Sequence, residues 1–537
     1  MKPTWFVPAV CLLLIFSGLT GLSRAGEVTS ERLVRAMEEP QNWLTYRGDY
    51  SGRNYRPLKQ IHKGNVADLR VDWVFQTGVG AAAKFQTVPL VVDGMMYITA
   101  PYNNGYALDA RTGRRLWRYQ RSLPDQSLCC GPINRGFALL RDKLFMATLD
   151  SHLVALDTKT GNVLWDIERA DYRIGYSSTG APLIVKDKVI IGTGGGEYGV
   201  RCFLDAYDPD TGKRLWRFWT IPAAGEPGSE TWLGDSWKTG GAPTWMTGTY
   251  DPELDLLYWC TGNPAPDLNG ETRLGDNLYS ASVVALDPDT GKMQWYFQFT
   301  PHDVHDWDAN EVPVLLDLEM DGKPRKLLVQ SNRNGFYYVL DRETGEFLHA
   351  NAVARVTWAS GIDAKGRPMV LPNTAPTPEG NRQCPGMGGG SNWMAPSYNP
   401  DAGLLYVVVR EECTDYFSSE QELEPGHFWL GSFPQVKPDE DTWGVVKALV
   451  PTTGEVKWEF KFHTPTWAGT LSTAGGLVFV GDMDGYLTAL DAHSGKSLWQ
   501  FQTGSPITTH PITYMLDGKQ IVAVAAGSNL FTFSLSP

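Results

Sequence analysis

A chain of 537 residues with 47 basic and 60 acidic side chains carries a formal charge of −13, which disfavours nucleic acid or an anionic membrane as its main partner. Hydrophobic residues make up 42% and 20 positions are tryptophan, ample for a core. Length alone would suggest three or four domains, but a repeating phrase points to a single large repetitive one over residues 26–537.

In chain order, Met1-Lys2 opens a short polar stretch, Trp5–Phe16 is apolar, and Ser23-Arg24-Ala25 offers small residues where a signal peptidase reads them. The apolar run is shorter than the ~20 residues that span a bilayer. Residues 1–25 therefore read as a cleavable secretory signal, with the periplasm as destination in a Gram-negative organism and no membrane span after cleavage. Cleavage removes Cys11 and leaves Cys129, Cys130, Cys202, Cys260, Cys384 and Cys413, an even set suited to an oxidising compartment.

The phrase Ala-Leu-Asp-x-x-Thr-Gly-x-x-Leu-Trp then recurs with variations at Ala107–Trp117, Ala155–Trp165, Ala206–Trp216, Ala285–Trp295, Val339–His349, Ala448–Trp458 and Ala489–Trp499. Strand-like runs precede each copy, and most hold an Asp-x-x-Thr-Gly turn in which Gly supplies a positive φ. The pattern predicts an all-β, eight-bladed propeller whose tryptophans dock each blade on its neighbour. Seven copies are visible; the 109-residue interval from His349 to Trp458 is expected to hide the eighth unit around Ser397–Val409. The closing strands should bring the two ends of the chain together. Gly- and Pro-rich stretches at Pro222–Gly241, Pro264–Asp276 and Thr374–Asn392 are expected as loops at the mouth of the central channel.

Cys129 and Cys130 are adjacent, and a trans peptide holds their Cα atoms about 3.8 Å apart, less than the usual disulfide span of about 4.4–6.8 Å. From pairing alone, one ordinary bridge plus one buried thiol is the simpler reading. The context Cys129-Cys130-Gly131-Pro132-Ile133-Asn134-Arg135-Gly136, however, resembles the vicinal-disulfide segment of the pyrroloquinoline quinone (PQQ) dependent alcohol and methanol dehydrogenases, eight-bladed quinoproteins. The resemblance runs from Asn42-Trp43-Leu44-Thr45-Tyr46 to Gly504.

It implies a Cys129–Cys130 disulfide on one face of the quinone and Trp245 on the other, with Arg135 on a PQQ carboxylate. Thr179, Gly195 and Gly196 contact PQQ by the same likeness, as do Asn392 with Trp393, and Trp467. Glu197 and Asn263 match metal ligands, an oxygen set that suits hard cations. Thr300-Pro301-His302-Asp303-Val304-His305-Asp306-Trp307-Asp308 is similar to the segment whose last family Asp, here Asp306, takes the alcohol proton while hydride passes to the quinone. Asp308 matches the extra carboxylate of the lanthanide-dependent branch, and Gly196 resembles that branch in leaving room for a larger ion. A different alignment would make Asp308 the base, place Asn310 two residues on and point to calcium. Arg333 matches the basic residue on the reactive quinone oxygens. His302 and His305 read as structural.

Cys384 and Cys413 match a second family disulfide. Gln86 departs from the family pattern, which has a PQQ-binding Glu three residues before Pro-Leu-Val-Val, and brings no charge. Since no Cys-x-x-Cys-His occurs, there is no built-in haem segment of the quinohaemoprotein kind, and the resemblance implies an external c-type cytochrome as electron acceptor. It also implies a small primary alcohol as substrate and allows a homodimer. The repeats by themselves fit a rival of another class, a non-enzymatic scaffold like outer-membrane assembly propellers. Glu197, Asn263, Asp306, Asp308 and Arg333 discriminate, because a scaffold has no use for them.

Overall fold

The computed structural model describes residues 1, 27–80, 84–435 and 442–535; the expected signal segment falls almost wholly outside this range. The first blade shows how each copy of the phrase is used. Leu90–Val92, Met95–Ala100, Asn104–Asp109 and Arg115–Gln120 form an antiparallel four-stranded sheet, and Ala107–Trp117 spans the bend from third strand to fourth. The next six blades run from Ala138–Leu140 to Val163–Glu168, Leu183–Val185 to Arg214–Trp219, Thr249–Asp251 to Met293–Gln298, Val314–Met320 to Phe347–Ala352, Ser397–Asn399 to Val456–Phe462, and Thr470–Thr473 to Ser497–Gln502.

The eighth blade is not where the 109-residue interval predicts it. That interval holds one blade, whose own fourth strand carries Trp458, plus two small added sheets, Ala359–Ile362 with Pro368–Val370 and Asn381–Gln383 with Thr414–Tyr416. The blade without a phrase is the closing one. Its first three strands, Ile512–Leu516, Lys519–Ala526 and Asn529–Leu535, come from the C-terminal end, and its fourth, Leu69–Gln76, pairs antiparallel with Asn529–Leu535 from the N-terminal end. The phrase is absent because its two halves lie at opposite ends of the chain. A second tie, Tyr55–Arg56, pairs parallel with Thr470–Thr473.

Blades dock through their tryptophans. Trp117 Nε1 donates to the Thr158 carbonyl at 2.9 Å, and its ring occupies the space a Cβ on Gly161 would need, 2.6 Å from Cε3. Gly161 has φ +70°, so the turn glycine serves both backbone and packing. Trp165, Trp216 and Trp458 repeat the arrangement on Pro209, Pro288 and Ala492, and Trp73 of the closing blade does so on Ala110. At the fifth blade, where the phrase ends in His349, Tyr337 takes over: its hydroxyl donates to the Pro451 carbonyl at 2.6 Å while Asn351 bonds Gly454. No helix among the described residues is long and apolar enough to cross a membrane.

Candidate active site

Because strands alternate direction within a blade, the loops from second to third strand and from one blade's fourth strand to the next blade's first open on the same end of the ring. Glu197, Asn263 and Arg333 follow the second strands of three successive blades, Lys188–Gly192, Leu256–Cys260 and Lys323–Ser331. Gln86, Cys129, Cys130, Arg135, Thr179, Trp245, Asp306, Asp308, Asn392, Trp393 and Trp467 all lie on the blade-to-blade loops. The residues expected from sequence thus gather on one face.

Asp308 is the hub of the polar part. Its Oδ2 lies 2.5 Å from Arg333 Nη1 and accepts from Trp245 Nε1 at 3.1 Å, while Oδ1 accepts from the Asn263 backbone N–H at 2.9 Å. A side chain on Gly262 would collide with that Oδ1, so this glycine reserves the carboxylate's place. Arg333 also reaches Asp306 at 3.3 Å and donates to the Met387 carbonyl at 2.7 Å. Asp306 takes a positive φ of 59°, a conformation costly for a non-glycine residue and concentrated at functional sites.

Burial pushes the Asp306 pKa well above the usual carboxylate range; Arg333 opposes this, and the charges of Asp308 and Glu197 reinforce it. Glu197 is raised mainly by loss of solvent and then by Asp308. Burial works against the Arg333 charge, yet Asp306 and Asp308 more than offset it and its pKa rises. Glu197 sits in the short turn Gly196–Tyr198, whose place is held by the Trp429 N–H donating to the Glu197 carbonyl at 2.7 Å. The glycine at 196 has a packing cause: a Cβ there would come within 2.8 Å of Pro243 Cδ.

The Cys129 and Cys130 sulfurs face each other 2.7 Å apart, inside van der Waals contact, and Cys129 Sγ lies 3.2 Å from Glu197 Oε1. Cys202 and Cys260 are separate buried thiols, and Cys384–Cys413 are bridged as expected, closing the added sheet beside the site.

The apolar part forms a slot. Trp393 and Trp467 lie parallel, their planes 4° apart, and the Arg135 guanidinium stands over both Trp245 and Trp393, 5.0 and 5.3 Å from the ring centroids. Arg135 donates to Thr179 Oγ1 at 2.7 Å and has no carboxylate partner among the described residues. Asn392 is spent locally on the Gly388 carbonyl and the Trp393 N–H.

Sequence reasoning missed Arg47, one residue beyond the quoted Asn42–Tyr46. It is 3% exposed, near Arg135, and donates through Nη2 to the Trp393 carbonyl, while Nε and Nη1 have no partner among the described residues. Arg135 Nε and Gln86 Oε1 are likewise unpartnered. Buried guanidinium nitrogens without acceptors fit a flat ligand carrying several carboxylates, and PQQ is such a molecule. The oxygen-rich side, with Glu197, Asn263, Asp306 and Asp308 around a single guanidinium, fits a hard cation. Among the described residues, the donor atoms within 4.8 Å of one another are those of Cys129, Cys130 and Glu197; the expected oxygen quartet is held wider, with Arg333 bridging Asp306 and Asp308. His302 and His305 are structural as expected, bonded to the Gly275 and Thr374 carbonyls.

Residues 43–357 and 438–522 match the family described as glucose/ethanol/alcohol dehydrogenase, beta-propeller domain, of the PQQ type. A quinoprotein alcohol dehydrogenase, PedH, of Pseudomonas putida is 40% identical over 97% of this chain and 91% of its own length. A lanthanide-dependent methanol dehydrogenase of Methylacidiphilum fumariolicum is 38% identical over 96% and 89%. Among solved structures, a europium-containing methanol dehydrogenase superposes with a TM-score of 0.88 at 35% identity, covering 94% of this chain and 100% of that one.

Proposed function

Since this chain belongs to the PQQ-dependent alcohol dehydrogenase propeller family and is an enzyme of that type, we propose that it oxidises a primary alcohol to an aldehyde with a lanthanide ion as its metal. The carrying observation is the Asp306–Arg333–Asp308 array beside Glu197.

Each residue has a task that follows from its surroundings. Asp306, kept at high proton affinity by burial and neighbouring carboxylates, takes the hydroxyl proton. Arg333 is pinned by Asp308 and the Met387 carbonyl, so its remaining N–H groups point at the reacting centre without reorganising. Trp245 is oriented by its bond to Asp308 and forms one wall of the slot. Arg47 and Arg135 would hold carboxylates of PQQ; Glu197, Asn263, Asp306 and Asp308 would hold the cation. When bound, PQQ supplies the two-electron acceptor and the cation a Lewis acid.

Three carboxylates against one guanidinium favour a trivalent over a divalent ion, which supports the lanthanide reading over calcium. Electrons leave to a separate c-type cytochrome, and the protein works in the periplasm after signal cleavage. Reconstitution of apoprotein with PQQ plus calcium or lanthanum, followed by a dye-linked assay over an alcohol panel, tests this. Tight quinone binding with lanthanum-supported turnover is expected; no bound quinone in the visible spectrum would sink the reading, and equal activity with calcium would sink the choice of ion.

A further inference from the structure

Trp467 is one wall of the apolar slot, and its ring is covered by a residue that no sequence motif singled out. Arg410 belongs to Leu404–Glu411, the second strand of the sixth blade. It is 5% exposed, and its guanidinium carbon stands 3.7 Å from the centroid of the Trp467 ring. Trp393 lies parallel to that ring with centroids 6.0 Å apart, and Arg135 lies over both Trp393 and Trp245. A continuous run of guanidinium and indole groups thus leads from Arg410 through Trp467, Trp393 and Arg135 to Trp245, whose Nε1 donates to Asp308.

Arg410 is held in place from several sides. Its Nη2 meets the two Glu412 carboxylate oxygens at 2.8 and 2.9 Å, and Nη1 donates at 3.2 Å to the carbonyl of Thr466, the residue before Trp467. A Cβ on Gly388 would collide with Glu412 Oε1, so that glycine keeps space for the pair. The same stretch serves the rest of the site: the Gly388 carbonyl accepts from Asn392 and the Met387 carbonyl from Arg333. Glu412 is fixed in turn, since its carbonyl accepts from the Gly386 N–H at 2.7 Å and the next residue, Cys413, is bridged to Cys384.

Burial lowers the Arg410 pKa and the charge of Arg333 adds to this, while Glu412 opposes both. An apolar side chain would fill the same space without burying an ion pair. What it would not supply is a flat cation on an indole face, an attraction that is strongest for tryptophan and grows where water is excluded.

We propose that Arg410 is a positioning residue for the cofactor, which fixes the plane of Trp467 by stacking on it and so preforms the slot that takes PQQ. This rests on the assignment of that slot to PQQ. Arg410 acts through the indole, and holding one end of a stacked run restrains the groups beyond it before the ligand arrives.

The test uses the full chain and three forms. Glu412→Gln keeps the stack and removes the carboxylate; Arg410→Met added to Glu412→Gln removes the stack without stranding a buried charge; Arg410→Lys alone keeps the ion pair and loses the plane. Equilibrium dialysis reads PQQ affinity, the visible spectrum reads the surroundings of the bound quinone, and thermal melts of the apoprotein read the fold. Relative to Glu412→Gln, the double variant should bind PQQ roughly tenfold more weakly and shift the quinone band, and Arg410→Lys should fall between it and wild type. Unchanged affinity and spectrum in the double variant and in Arg410→Lys, with only a lower melting temperature, would reduce Arg410 to ordinary packing and overturn the proposal. An equal loss in Glu412→Gln and in the double variant would overturn it too, by assigning the effect to the carboxylate. Wild type that binds no PQQ would sink both this inference and the assignment of the slot.

Discussion

Asp308 and Arg333 are joined at 2.5 Å, and by separate hydrogen bonds the same carboxylate also orders the Trp245 indole and the Asn263 backbone. An acid that braces three separate parts of a site and adds charge to it has two separable contributions. Asp308→Asn keeps the shape and removes the charge, whereas Asp308→Ala removes both. The Asn variant should weaken lanthanum binding by ten- to a hundredfold, about 1.4–3 kcal/mol, and affect calcium less. The Ala variant should abolish lanthanum-supported turnover with the fold intact. Metal titration followed by fluorescence, with circular dichroism as control, checks both.

Asp306→Asn should retain bound quinone yet lose turnover by roughly 10²–10⁴-fold, the usual worth of a positioned general base. Absorbance of the bound quinone and single-turnover kinetics on the same preparation separate binding from chemistry.

Arg47 and Arg135 stand close together without a carboxylate, and Gln86 does not neutralise them. Replacing either arginine by methionine should weaken PQQ binding by about 1.5–3 kcal/mol, or roughly ten- to a hundredfold, since a charge-assisted bond to the ligand is lost. Gln86→Glu should strengthen it, because it restores the carboxylate with which the family binds PQQ. Equilibrium dialysis with free PQQ reads all three, and unchanged affinity in the Arg47 variant would remove that residue from the cofactor site.

His305 is buried, stacked on Trp307 and bonded to the Thr374 carbonyl, and burial pushes its pKa down to about 4. The unfolded chain binds this proton more readily. The contribution is therefore complete above about pH 6.5 and is lost as pH falls toward 4, amounting to roughly 3 kcal/mol. Asp303, pushed up to about 6 by burial, acts with the opposite sign over part of that window. Thermal melts of His305→Gln and wild type between neutral pH and pH ~4.5 should show a steeper acid loss in wild type.

Gly161 has φ +70°, and the Trp117 ring fills its Cβ position. Gly161→Ala should cost roughly 2–4 kcal/mol through backbone strain and overpacking, measurable as a lower denaturant midpoint. The equivalent change at Gly403, with nothing within 4 Å of its Cβ position, should cost only the backbone part.

The blades were legible in sequence where their determinants are local. Asp-x-x-Thr-Gly and the following Trp lie within one bend, so seven blades announce themselves. The eighth does not, since Trp73 and its partner strand Asn529–Leu535 are separated by most of the chain, and register between distant strands leaves no local trace. Asp306, Asp308, Glu197, Asn263 and Arg333 were found through their contiguous motifs. Arg47 was not, because what distinguishes it is two buried guanidinium nitrogens without a partner among the described residues, which only three-dimensional surroundings reveal. The same holds for Gly196: its neighbour in space is Pro243, and no spacing along the chain predicts that contact. Tyr337 replacing the missing docking Trp at His349 is a third case, a compensation from an adjacent strand.

The closing blade also sets the order in which the molecule can become active during its synthesis. Seven blades can pair their strands as they emerge, but Leu69–Gln76 must wait for Asn529–Leu535, so its edge stays open until almost the whole chain has been made. Until then the loops that carry Arg47 and Gln86 have no fixed position relative to those that carry Asp306 and Arg333. Cofactor capture is thereby coupled to completion of the polypeptide, and a truncated chain would expose an unpaired strand edge where the finished one has a seam.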